Sequence, residues 1–228
     1  MHTMVIPQTV LDMSKRLYGE RIPLPLIPGK FAHVVVDLQN GFMAPGGVAE
    51  TPNLRLIVPN VNKISAAVRK VGGVNIFLRF TYDPHWTNRY RRLTPEFATL
   101  MKEAFVEGSA QHALWSGLDV QPEDLTLNKM RFSALTPGTC DLEPVLQARG
   151  IDTLVVTGCF SNACCESTSR DAVQMNYNVV FVQDGNATVS DSDHHGAIAD
   201  QFSIFGCDVC TADEVVNRLM THVSQRKD

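Results

Sequence analysis

Residues 153–176 read TLVVTGCFSNACCESTSRDAVQMN. Thr153 to Thr157 show no apolar–polar alternation, the pattern of a strand covered on both faces, as in parallel sheets. Ala163 to Asn176 then read as a helix, so Cys164 falls where a strand hands over to a helix. The same unit recurs on either side. Downstream, Val179 to Val182 form a strand, Asp191 to Phe205 a helix, Cys207 to Cys210 a strand end and Ala212 to Val223 a last helix. Upstream, Ala32 to Asp37 (AHVVVD) is a continuous apolar strand ending in an acid. Asn53 to Val71 repeats Leu54, Ile57, Val58, Val61, Ile64, Ala67, Val68 and Val71 at helical spacing, and Gly72-Gly73 stops it. Val74 to Arg79 is the next strand. Leu93 to Glu107 is helical, with Thr94 as N-cap, Pro95 at the first position and Gly108 beyond the end. Asp124 to Asn128 is a short strand, and Glu143 to Arg149 a helix that stops at Gly150. Strands alternating with helices predict a single α/β domain: a doubly wound, mostly parallel six-stranded sheet with helices on both faces. That domain is expected over residues 31–228. Residues 1–30, which hold Pro7, Pro23, Pro25 and Pro28, are expected as an arm packed on it or on a partner subunit.

A chain of 228 residues with 44% hydrophobic and 19% charged residues suits one soluble core. A net charge of -4 offers no electrostatic case for nucleic acid or an anionic membrane. Runs such as Val34 to Val36 and Leu154 to Val156 are far too short to span a bilayer. Near the N-terminus, Asp12, Lys15 and Arg16 interrupt any apolar segment of the kind a secretory signal needs, so a cytoplasmic protein is expected. Cysteines 140, 159, 164, 165, 207 and 210 cluster in the C-terminal half and are expected as reduced thiols. Cys207 and Cys210 have the spacing of a redox or zinc pair, but no second pair exists and a structural role is expected.

In doubly wound sheets, ligands bind beyond the carboxyl ends of the strands. Asp37, Lys129 and Cys164 fall at three such ends. The thiolate is the attacking form of cysteine, and an unassisted thiol is mostly protonated at neutral pH. In the first turn of a helix, Cys164 would have its pKa lowered by the positive helix end. Asp37 would take the thiol proton while Lys129 balances the charge. No histidine falls at a neighbouring strand end, which disfavours a papain-like Cys-His-Asn arrangement. Taken singly, each residue has a structural alternative: a turn or cap for Asp37, a solvated lysine for Lys129, packing for Cys164 as for Cys159 and Cys165. A dinucleotide-binding dehydrogenase fails, because Asp37 is followed by Leu38-Gln39-Asn40-Gly41 and not by a G-x-G-x-x-G turn.

The segments VVVDLQNGF (34–42), KMRFSAL (129–135), VTGCFSNACCESTSRDA (156–172) and DGNAT (184–188) resemble the isochorismatase-like cysteine hydrolase family. Leu135 stands where that pattern usually has an aromatic residue. The resemblance covers about residues 32 to 217. It implies Asp37 as general base, Lys129 as its charge-stabilising partner and Cys164, two residues before Glu166, as nucleophile. It also implies a cis bond between Cys159 and Phe160 and an oxyanion hole from the amides of Phe160 and Cys164. The activity implied is hydrolysis of a small linear amide or ureide (ureidoacrylate-, biuret- or triuret-like) through a thioester, with no cofactor and no metal.

The family's nicotinamidase branch adds a metal, for which Asp83, His85 and His112 would be the ligands; a turn initiated by Asp83-Pro84 is the structural alternative. The stretch 85–92 (HWTNRYRR) is dense in cations and aromatics and would suit a carboxylate- or carbonyl-rich substrate if it covers the site. Gln39, Asn40, Phe42, Trp86, Arg89 and Asn162 are the substrate-binding candidates. The resemblance also implies a homo-oligomer, dimer or tetramer. The alternatives are a metal-containing nicotinamidase-like amidase and a catalytically silent scaffold of the same fold.

Overall fold

A computed structural model describes residue 2 and residues 6–224. The remainder of the expected arm (1 and 3–5) and the end of the expected domain (225–228) lie outside the described residues. The strands are β1 (Phe31–Val36), β2 (Val74–Phe80), β3 (Leu125–Lys129), β4 (Thr153–Cys159), β5 (Asn178–Ala187) and β6 (Asp208–Cys210). They form one six-stranded sheet in the order β3-β2-β1-β4-β5-β6, and every pairing is parallel. The helices are α1 (Gln8–Tyr18), α2 (Asn40–Met43), α3 (Val58–Lys70), α4 (Thr87–Tyr90), α5 (Pro95–Phe105), α6 (Leu142–Ala148), α7 (Glu166–Gln174), α8 (Asp191–Ser203) and α9 (Ala212–Ser224).

All six residues of β1 are buried, because the strand lies in mid-sheet with helices over both faces. Ala32, Val34 and Val36 pack with Leu142 and Leu146 of α6, Ala172 of α7 and Ile198 of α8. Phe31 faces the other way, onto Ile64 and Val68 of α3 and Val215 and Leu219 of α9. Each such Val, Leu, Ile or Phe side chain contributes roughly 1.5–3 kcal/mol when fully buried. This two-sided burial is why the strands read as continuous apolar runs.

The winding direction reverses between β1 and β4, so the crevice for a ligand opens at the carboxyl ends of those two strands. Their register pairs Val36 with Gly158, bringing Asp37 and Cys159 side by side just beyond. Gly158 makes this approach possible. Its φ is +122°, and a Cβ there would lie 2.1 Å from the Val36 carbonyl oxygen.

Several elements differ from the sequence expectation. The helix expected over 53–71 is a 3-10 helix at Pro52–Ile57 followed by α3, since Pro59 is tolerated only in the first turn of an α-helix. The helix expected from Ala163 begins earlier, with a π-helical turn at Ser161–Cys165 that passes into α7. Lys129 is the last residue of β3, not the residue after it. Asp184-Gly185-Asn186, beyond the strand expected at 179–182, continues β5 through a register shift against β4. There Asn186 Nδ2 donates to the Val156 and Val182 carbonyls at 2.9 and 2.7 Å. Residues 8–18 form α1, which lies against α8; Tyr18 donates to the Ile204 carbonyl at 2.7 Å, and the Arg21 guanidinium stacks 4.1 Å from the Phe202 ring.

Candidate active site

Asp37 leaves β1 with φ +54°, a left-handed conformation that aspartate tolerates better than most residues. Its amide donates to the Leu78 carbonyl at 3.1 Å, and its own carbonyl accepts from Gln39 N at 2.8 Å and from the Cys159 thiol at 3.2 Å. The carboxylate is thereby held over the β1–β4 crevice. Lys129 reaches it from the end of β3, with Nζ 2.7 Å from Asp37 Oδ2 and both side chains almost wholly buried. The ammonium also donates to the Arg131 carbonyl at 2.9 Å and lies 5.3 Å from the Phe80 ring centroid. The Cys164 thiol as well as Lys129 interacts with this carboxylate.

Cys164, 6% exposed, sits in the π-helical turn, a feature frequent at functional sites. Burial, opposed by Lys129 and reinforced by Asp37, pushes its thiol pKa up to about 12. The helix end alone predicts the opposite direction, but loss of water around a thiolate outweighs it. Burial raises the Asp37 carboxyl above the usual carboxylate range even though Lys129 opposes the rise. Burial works against the Lys129 charge as well, yet Asp37 and Cys164 together hold its pKa above that of an ordinary lysine. The resting site is therefore a neutral thiol beside a protonated lysine and a carboxylate made more basic than usual.

The peptide bond between Cys159 and Phe160 is cis. The Phe160 carbonyl accepts from the amides of Ala163 and Cys165 at 3.0 and 3.2 Å.

Cys164 opens onto a cavity of about 320 Å³ whose wall includes Phe42, Trp86, Arg89 and Phe160 from the sequence candidates. The stretch 85–92 covers one side through Trp86, Arg89 and Tyr90, the last two within α4. The other three polar candidates are not on that wall. Gln39 caps the end of β2 and the loop beside it: Nε2 donates to the Phe80 and His112 carbonyls at 3.1 and 2.8 Å, and Oε1 accepts from Phe80 N at 2.7 Å. Asn40 donates to the Ala110 carbonyl at 2.8 Å, and Asn162 Oδ1 accepts from the Thr188 hydroxyl at 2.7 Å. Sequence reasoning missed Phe80, Phe97, Met101 and Phe132 on the wall. Phe132 lies inside a quoted motif and Phe97 on an expected helix, but nothing local says which cavity a helix face will close.

Asp83, His85 and His112 are not gathered into a ligand set. Asp83 Oδ2 lies 2.7 Å from Arg131 Nη1, its Oδ1 accepts from the His85 amide at 2.9 Å, and His112 Nε2 lies 2.8 Å from the Thr81 hydroxyl oxygen. Among the described residues, no group of three or more His, Cys, Asp or Glu side chains is placed to hold a metal ion. The donor set that the nicotinamidase branch implies therefore does not fit. Cys207 and Cys210 are buried free thiols, and Cys207 donates to Gln201 Oε1 at 3.2 Å.

The family profile described as Isochorismatase domain matches residues 31–214. The chain is 31% identical over 191 residues to the ureidoacrylate amidohydrolase RutB of Pseudomonas syringae pv. syringae, a match covering 76% of this chain and 77% of that protein. A cysteine hydrolase from Pseudomonas syringae pv. phaseolicola superposes with TM-score 0.80 at 28% identity, covering 89% of this chain and 98% of that one. The N-carbamoylsarcosine amidase from Thermoplasma acidophilum superposes with TM-score 0.67 at 26% identity, covering 81% of this chain and 97% of that one.

Proposed function

The chain belongs to the isochorismatase family, and on that premise we propose that it is a cysteine-dependent amidohydrolase of a small linear amide or ureide. Its curated relatives are amidohydrolases, which supports hydrolysis of a non-peptide carbon–nitrogen bond. The observation that carries the mechanism is the buried Lys129–Asp37 pair, 2.7 Å apart, beside a thiol that opens onto a cavity.

Asp37 accepts the Cys164 proton as Sγ attacks the amide or ureide carbonyl, forming a carbon–sulfur bond. A free thiolate would be a poor resting state so far from water, so proton transfer accompanies attack. Lys129 keeps the pocket near neutrality through this step. The amides of Phe160 and Cys164 hold the developing oxyanion; that Ala163 and Cys165 spend theirs on the Phe160 carbonyl supports this division. Protonated Asp37 then gives its proton to the departing nitrogen, releasing ammonia or an amine and leaving a thioester. Asp37 next takes a proton from water, whose oxygen attacks the thioester, and the acid or carbamate leaves as the thiol is restored.

A homo-oligomer also belongs to this proposal. Leu17, Ile22 and Ile27 offer exposed apolar surface in the N-terminal segment. So does a cytoplasmic setting; among the described residues no helix is long and apolar enough to cross a membrane. The test is ammonia release from a panel of small amides, carbamoyl compounds and ureides, with Cys164→Ala and Cys164→Ser as blanks. Turnover retained in full by either variant overturns the proposal.

A further inference from the structure

The cavity beside Cys164 is built for more carbon than a linear ureide has. Its wall carries seven aromatic rings, with Phe42, Phe80 and Phe160 on the inner side and Trp86, Tyr90, Phe97 and Phe132 on the outer side. The rings brace one another: Phe42 meets Phe160 edge-on at 5.5 Å, and Trp86 meets Phe132 edge-on at 5.1 Å. Leu93 and Met101 add aliphatic surface to the lining. A polar substituent placed against such a wall loses its water and gains no partner, whereas a flat ring gains edge and face contacts. The volume, about 320 Å³, lies at the small end of ligand pockets and fits a single ring carrying short substituents.

Among the described residues, one charged side chain, that of Arg89, lines this wall. Arg131 is spent on Asp83 at 2.7 Å, and Arg91 and Arg92 are exposed. Arg89 lines the cavity, lies 5.5 Å from the Phe132 ring centroid and has no ion-pair partner among the described residues. A guanidinium held against an aromatic ring, with no acid of its own, is a natural seat for a carboxylate.

We infer that the substrate joins its scissile carbamoyl or carboxamide group to a planar aromatic body with a carboxylate at the far end, the ring against the aromatic wall and the carboxylate on Arg89. This rests on the amidohydrolase proposal for the chemistry at Cys164 and replaces the linear body of its substrate with a ring. It separates this chain from relatives named for ureidoacrylate, in which two unsaturated carbons stand where the ring would be.

Matched probes test it: 4-ureidobenzoate, 3-ureidoacrylate and uncharged phenylurea, each titrated calorimetrically into the Cys164→Ala protein so that binding is read without turnover. The expectation is that 4-ureidobenzoate binds at least tenfold more tightly than 3-ureidoacrylate. Adding Arg89→Gln should weaken 4-ureidobenzoate tenfold or more and change phenylurea by less than twofold. Equal or tighter binding of 3-ureidoacrylate, no binding of either ring compound, or equal loss of both ring compounds in Arg89→Gln overturns the inference. Ammonia release by the unaltered protein is read separately. Ring-selective binding without Cys164-dependent turnover removes the hydrolase proposal and keeps the pocket assignment; Cys164-dependent turnover with tighter 3-ureidoacrylate binding does the reverse.

Discussion

Replacing Lys129 by methionine keeps most of the side chain's volume and removes its charge, leaving Asp37 buried without a counterion. Both groups of the pair are all but inaccessible to water, at 0% and 1% exposure. Removing one partner of such a pair costs about 3–5 kcal/mol, because the remaining charge is stranded. Against a usual domain stability of about 5–15 kcal/mol, that is a large fraction. Asp37 would respond by holding its proton. Its folded pKa is already raised by burial, and a carboxyl raised in the folded state gives a stability that falls as pH rises through the interval above the unfolded value near 3.8. Lys129→Met should therefore lose stability more steeply than the unaltered protein as pH rises above about 4. Activity should fall about 10²–10⁴-fold at neutral pH, since the base is then occupied by a proton. Urea unfolding followed by tryptophan fluorescence at pH 5 and pH 8 reads the first effect, and ammonia release reads the second. The double variant Asp37→Leu/Lys129→Met, with no charge left to strand, should regain most of the stability and none of the activity. A cost below about 1 kcal/mol for Lys129→Met, unchanged between the two pH values, would mean that the pair is hydrated and that the pKa reasoning fails.

Three other outcomes follow from the same structure. Gly158→Ala should destabilise the fold by about 3 kcal/mol in urea unfolding, since its Cβ would meet the Val36 carbonyl at 2.1 Å and its φ is +122°; a loss within about 0.5 kcal/mol would refute the close approach of β1 and β4. His33, wholly buried between Asn75, Ser65 and Thr157, has its pKa lowered by burial to about 4, so the unfolded chain binds the extra proton first and stability drops as pH falls from about 6.5 toward 4, by up to roughly 3 kcal/mol; urea midpoints that stay constant over that range would contradict it. Alkylation of Cys164 by iodoacetamide, read by peptide mass spectrometry, should be slow at pH 7 and climb steadily beyond pH 9, whereas a rate that levels off below pH 7 would mean a resting thiolate.

The sheet was legible because each strand and helix carries its own period, and burial on both faces wrote β1 and β4 as unbroken apolar runs. That Asp37, Lys129 and Cys164 would come together was legible for a topological reason: a doubly wound sheet sends its strand ends to one crevice. What tertiary packing decides was not. Helix α1 carries local cues, Lys15 and Arg16 in its last turn and Gly19 at its end, but the prolines on either side of it read as an arm, and its packing on α8 became visible only in the fold. The Asp184-Gly185-Asn186 run has turn chemistry, and only the donation of Asn186 to two strand carbonyls keeps it in β5. Gln39 looks like a ligand-binding amide, yet its side chain bonds to the Phe80 and His112 backbone around the end of β2 and the following loop. The cavity wall draws on residues from Phe42 to Cys164, a separation over which periodicity says which face of a helix is apolar and nothing about what that face meets.

Burial sets the most consequential difference between sequence and structure, at Cys164. A helix end predicts a thiol ready to ionise, and an exposed cysteine in that position would be reactive toward any small electrophile. The folded site raises the thiol pKa to about 12 and raises the neighbouring carboxyl as well, so reactivity cannot reside in the cysteine alone. On the proposed mechanism it arises when a carbonyl is seated against the Phe160 and Cys164 amides, because only then does negative charge leaving sulfur have donors waiting for it. Selectivity and nucleophilicity are thereby tied together: a compound that fails to fill the aromatic cavity fails to place its carbonyl and meets a neutral, buried thiol. On this view, aromatic-wall variants such as Phe132→Ala should lower turnover as well as binding, since loosening the substrate's body also moves its carbonyl off the oxyanion donors.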